Sequence, residues 1–215
     1  MKVLAVLSHP GHYYLFKYLA SQMNKKGHEV KFAIRGKDIL EDILKAENVD
    51  YKFLCKEFDR GNTSFSIMKG AILEMLAEDF HLFKYSSKFK PDLFIGTDIS
   101  ISHVGKLLGI PSIVFNEDDY EINKLFCKAT YPFATHIIAP NNCSVGPYER
   151  KKIGYDGFQK MAYMHPKFFK FDKSVVEQLG LNGQPFFLIR LVNLKAIHDI
   201  EGNATGITPD ILRRL

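Results

Sequence analysis

The stretch from Lys2 to Gly36 constrains this chain most. An apolar run, Lys2–Leu7, leads into Ser8-His9-Pro10-Gly11-His12, then a helical pattern to Lys26 and a second apolar run, Glu29–Ile34. That order predicts the strand–loop–helix–strand opening of a doubly wound α/β sheet. In the helix, Leu15, Phe16, Leu19, Ala20 and Met23 form one apolar stripe. Lys25 and Lys26 complement its carboxyl end and Gly27 supplies a left-handed cap. Ligands of such sheets gather at the carboxyl ends of the strands, which is where Ser8–His12 falls.

The alternation continues along the chain. Helices are expected at Lys37–Glu47, Ser66–Phe89, Ser100–Leu108 and Tyr120–Ala129, and strands at Tyr51–Cys55, Asp92–Thr97, Ser112–Asn116 and Thr135–Ala139. Six parallel strands in the order 3-2-1-4-5-6 would set the first and fourth side by side. The loops Ser8–His12 and Gly96–Ser102 would then face each other, with Asn116–Asp119 beside them. After Pro140 the pattern changes to turn signals (Gly146-Pro147, Gly154–Gly157, His165-Pro166) crowded with aromatics. Residues 1–140 therefore read as one sheet domain and 141–184 as a linker packed on it. Residues 185–215, with a strand at Pro185–Val192, read as the start of a truncated second domain.

With 46 % hydrophobic and 25 % charged residues the chain is an ordinary globular one. No run reaches the roughly 18 apolar residues that would suggest a membrane span. Cys55, Cys127 and Cys143 are odd in number and lack metal-ligand spacing, so a reducing cytoplasm is expected, with no metal. The excess of 29 Lys and Arg over 24 Asp and Glu favours anionic partners. Its basic clusters are short and not interleaved with aromatics, which argues against nucleic acid.

The polar strand ends carry the candidate chemistry. Gly11 and His12 lead into a helix expected to begin near Tyr13, whose N-terminus attracts anions. The imidazoles of His9 and His12 either cap that helix or act as acid, base or phosphate donor, with His12 nearer its mouth. Thr97, Asp98 and Ser100 either cap the next helix or bind a sugar hydroxyl. In Asn116-Glu117-Asp118-Asp119, adjacent carboxylates can raise one another's pKa, making Glu117 a candidate base and Asn116 a ligand contact, unless they simply open a helix. Arg190 can grip a diphosphate, with His198 and Asp199 in the loop after it. The long Ser66–Phe89 helix, with Ile67, Met68, Ala71, Ile72, Met75, Leu76, Phe80 and Phe83, reads chiefly as core packing. Its lysines leave a membrane-surface face as the alternative.

Several motifs carry a resemblance. They are Ser8-His9-Pro10-Gly11-His12 with Phe16-Lys17, Lys26–Val30, Lys90-Pro91-Asp92 with Gly96-Thr97-Asp98, Leu108–Ile113, Tyr155-Asp156-Gly157, Ala162–Pro166, and Arg190 with His198-Asp199. Together they resemble a prokaryotic family of predicted glycosyltransferases of GT-B type, related to UDP-N-acetylglucosamine 2-epimerases. The resemblance implies a Rossmann-like N-terminal domain and a nucleotide sugar as substrate, with no bound cofactor. A sugar or lipid-linked molecule would be the acceptor. From the residues themselves, His12, Glu117 and Asp98 are read as catalytic. Ser8, His9, Gly11, Thr97, Ser100, Asn116, Arg190 and His198 would contact substrate. Family members continue for about another domain, so this chain is expected to be inactive without that domain or a partner subunit. Glycosyl transfer, epimerisation of a UDP-amino sugar, a non-catalytic module that recruits a separate catalytic domain, and a flavodoxin-like phosphate binder all remain open. So does peripheral contact with the inner face of a membrane.

Overall fold

The computed structural model describes residues 1–36, 39–56, 58, 63–181 and 183–189. Met1–His165 forms one compact unit, and the described residues from Pro166 onward belong to another.

The first unit is built on seven strands: β1 (Lys2–Leu7), β2 (Glu29–Gly36), β3 (Tyr51–Lys56), β4 (Leu93–Gly96), β5 (Ser112–Phe115), β6 (His136–Pro140) and β7 (Lys152–Tyr155). All pairings are parallel, in the order β3-β2-β1-β4-β5-β6-β7. Its helices are α1 (Pro10–Lys25), α2 (Leu40–Ala46), α3 (Ser64–Phe89), α4 (Ser100–Leu108), α5 (Lys124–Thr130) and α6 (Met161–Met164). The second unit contributes α7 (Lys173–Gln178), whose N-cap Asp172 accepts a hydrogen bond from the Ser174 amide.

Strand β1 shows why the sheet is covered on both faces. Val3, Ala5 and Leu7 join Tyr13, Phe16 and Ile34 in one core cluster, whereas Leu4 and Val6 join Phe94, Val114 and Ile137 in the other. Alternate side chains of a strand point to opposite faces, so a continuous apolar run requires two cores. In register, Val6 lies opposite Gly96 of β4. A Cβ at Gly96 would come within 2.8 Å of the Val6 carbonyl oxygen, so the β1–β4 junction closes only over a residue without a side chain.

The six expected strands and their order are present, and a seventh extends the sheet from within the expected linker. Strand β7 has weak sequence signals because it is a short edge strand holding Lys152 and Gly154. A Cβ at Gly154 would meet the side-chain oxygen of Asn141 at 2.0 Å, so that exposed side chain would have to swing aside to admit one. Helix α1 begins at Pro10, not near Tyr13. Proline is suited to the first helical position, and the His9 Nδ1 caps the turn by accepting from the Gly11 amide at 3.1 Å. Helix α5 starts later than expected, because residues 120–123 form a turn. Of the expected strand Pro185–Val192, residues 185–189 carry no regular secondary structure and the remainder lies outside the described residues.

Helix α3 departs furthest from expectation. Its inner ridge, at intervals of four, is Gly70, Glu74, Glu78, Leu82 and Ser86, while Met68, Ile72, Leu76, Phe80 and Phe83 are exposed. Of the stripe read as core packing, Ile67, Ala71 and Met75 are half-buried and the other five residues face outward.

Candidate functional site

The carboxyl ends of β1 and β4 meet at the point where strand order reverses. Ser8 follows β1 directly and is buried, and His12 lies in the first turn of α1. Thr97 follows β4. Its hydroxyl sits 2.8 Å from Nδ1 and 3.0 Å from Nε2 of His12. The Ser8 amide and hydroxyl approach the same Nδ1 at 3.4 Å. The sequence thus brings three of its candidates, Ser8, His12 and Thr97, onto one half-buried imidazole. A hydroxyl both donates and accepts, so Thr97 can stay bonded to Nδ1 whichever protonation state the ring adopts, whereas the Ser8 amide only donates. His9 is exposed at the N-cap, its ring 5.7 Å from that of His12, and the Gly11 amide is engaged by it.

Asp98 and Ser100 take a different part. Neither caps α4, whose N-cap is Ile99 without a side-chain bond. Both reach into a buried charge cluster under the crevice. Arg35, at the end of β2, pairs with Glu74 and lies 3.5 Å from Glu78 and 3.6 Å from Asp98. The Ser100 hydroxyl donates to Glu78 at 2.7 Å, and the Phe58 amide donates to Glu74 at 2.9 Å. One Asp98 oxygen and the Arg35 Nε have no hydrogen-bond partner among the described residues. Three carboxylates around one guanidinium leave an excess of negative charge in a low-dielectric site. The Glu78 carboxyl responds by holding its proton. Burial, reinforced by Asp98 and opposed by Arg35, pushes it up to about 8. Burial works against the Arg35 charge, but Asp98, Glu78 and Glu74 outweigh it and raise its pKa. Arg35, Glu74 and Glu78 were not singled out from the sequence. The available signal was a pair of glutamates one helical turn apart, in register with Gly70, Leu82 and Ser86.

At the end of β5 the acidic run disperses. Glu117 pairs with Lys160 and accepts from the Gln159 amide at 3.1 Å, Asp119 accepts from the Ser144 amide at 2.7 Å, and Asp118 is exposed. Asn116 is buried and braces the loop. It donates to the Asp118 carbonyl at 3.0 Å and to the Tyr131 hydroxyl at 2.8 Å. Strand β5 is separated from β1 by β4, a distance of about 10 Å at two strand spacings. His103 is a packing residue, bonded to Asp79 at 2.9 Å and to the Ala129 carbonyl at 2.8 Å. Arg190 and His198 lie outside the described residues. Among the described residues no set of three His, Cys, Asp or Glu side chains is placed to hold a metal ion, and no helix is long and apolar enough to cross a membrane.

The fold is shared with solved structures. UDP-GlcNAc 2-epimerase from Methanocaldococcus jannaschii matches with a TM-score of 0.61 and 13 % identity, over 84 % of this chain and 52 % of its own. The same enzyme from Neisseria meningitidis, bound to UDP-GlcNAc, gives 0.57 and 15 % identity over 85 % and 51 %. The Streptomyces sp. SF2575 glycosyltransferase SsfS6, complexed with thymidine diphosphate, gives 0.50 and 18 % identity over 66 % and 49 %. The chain spans about half the length of each of these proteins. No protein-family model and no curated protein matches it. At such low identity the likeness establishes the fold: an all-parallel, Rossmann-like sheet of the kind that forms part of GT-B glycosyltransferases and UDP-GlcNAc 2-epimerases.

Proposed function

We propose that this chain is the acceptor-side half of a GT-B enzyme acting on nucleotide-activated sugars. Glycosyl transfer is the favoured reaction, and 2-epimerisation of a UDP-amino sugar is the alternative. One observation carries the reading: Ser8 and Thr97 converge on His12 at the carboxyl ends of β1 and β4, in a fold whose solved likenesses include structures with UDP-GlcNAc and thymidine diphosphate bound. In this reading His12 exchanges the proton at an acceptor hydroxyl, while Thr97 fixes the plane of the ring. The α1 N-terminus supports negative charge developing beside it. Glu117, restrained by Lys160, orients the sugar from further along the rim. Asp98 acts from beneath, its position set by Arg35.

Titration of the chain with UDP-GlcNAc, UDP and inorganic phosphate, followed by NMR shifts of the Ser8, His12 and Thr97 resonances, tests this directly. A response to UDP-GlcNAc that is stronger than the response to phosphate, and is lost in His12→Ala, is expected. An equal response to all three would favour a plain phosphate binder. The absence of any response would overturn the assignment.

A further inference from the structure

Helix α3 is inside out for a helix packed on a sheet. Phe65, Met68, Ile72, Leu76, Phe80 and Phe83 fall within about 120° of arc and run about 27 Å along the helix. All six are exposed, Phe65 at 79 % and Phe80 at 61 %. Leu107 of α4, exposed at 72 %, lines with Phe80 and Phe83 a hollow of about 260 Å³ that continues the strip. An apolar face of this extent on one element marks a surface that something covers.

Charge indicates what covers it. All three acidic side chains of α3 are occupied on its inner side, Glu74 and Glu78 by Arg35 and Asp79 by His103. The exposed ionic groups of α3 and α4 are cationic: Lys69, Lys84 and Lys88 on α3, and Lys106 beside Leu107. A second copy would bring lysine against lysine. Among the described residues the hollow at Phe65–Leu73 is lined by α3 alone, with no facing wall to seat a partner helix. A straight apolar strip edged by long cationic side chains, whose stems can lie along it while their heads reach outward, suits an amphipathic helix lying in a lipid interface.

We propose that the α3–α4 face docks on an anionic lipid surface, with Phe65, Ile72, Leu76 and Phe80 entering the headgroup boundary and Lys69, Lys84 and Lys88 meeting the phosphates. This surface is separate from the crevice, and the proposal stands whether or not the chain handles a nucleotide sugar.

Co-sedimentation of the full chain with phosphatidylcholine vesicles, and with equal mixtures of phosphatidylcholine and phosphatidylglycerol, tests it. Binding to the mixed vesicles is expected, falling by about tenfold or more in the Leu76→Glu/Phe80→Glu variant and in the Lys84→Glu/Lys88→Glu variant. Both variants change exposed side chains only, and an unchanged thermal transition verifies that each folds. Failure to bind mixed vesicles would overturn the proposal, as would binding that both variants retain. So would a concentration-dependent dimer, dissolved by Leu76→Glu/Phe80→Glu, in a chain that ignores lipid.

Discussion

Thr97 and His12 are 85 residues apart in the chain and 2.8 Å apart in space. If the imidazole moves a proton, His12→Asn should cost the enzyme assembled with its other half about 10²–10⁴-fold in turnover, the usual worth of a positioned acid or base. Thr97→Val, which removes only the hydroxyl that fixes the ring, should cost less and should alter the His12 ring shifts in an NMR titration. The Glu78 carboxyl gives a second prediction. Its folded pKa is raised from 4.5 to about 8. Between those values the native state holds a proton that the unfolded state has released. That contribution is complete below about pH 4.5, and stability falls as pH rises towards 8, by at most ~1.4 kcal/mol per pH unit. Glu78→Gln keeps an oxygen for Ser100 and cannot ionise, so its thermal melts should lack this decline. The members of the charge cluster come from β2, α3 and the end of β4. No local pattern in the sequence joins Arg35, Glu78 and Asp98, which is why the cluster was not legible there, whereas the Ser8–His12 turn was.

Elements were legible where their signals are local. Strand β1 and helix α4 have the expected limits, because an apolar run beside a turn and a helix closed by Gly109 are both written in adjacent residues. Strand β7 was not legible, since four residues with a lysine and a glycine make no alternating pattern and only pairing with β6 gives them a strand conformation. Helix α3 misled for a related reason. Periodicity locates an apolar face but does not say whether that face meets the sheet, and the buried ridge of α3 is the one that accommodates Arg35. Tight element packing can be tested at Gly96. Its prospective Cβ meets main chain, which cannot swing aside, so Gly96→Ala should destabilise the fold by about 1–3 kcal/mol in urea unfolding and shift β1 and β4 amide resonances.

At the scale of the whole molecule, it is the parallel strand order that is written in the alternation of elements along the sequence. Strands wound outwards in both directions from β1 and β4 must leave a gap between the helices that follow those two. The extent of the sheet was harder to read, and it yields a prediction. A chain ending at His165 retains β7 and α6 and should melt cooperatively by circular dichroism. One ending at Pro140 exposes the long side of β6 and should melt lower or aggregate. Helix α3 has a further consequence through its length alone. Its 26 residues reach about 39 Å, whereas the six residues of β1 extend about 20 Å. Because α3 ends just before β4 begins, the surplus projects past the rim where the strands finish. The leading turns therefore stand like a mooring post beside the crevice, and a molecule tethered there would keep its opening close to whatever surface holds it.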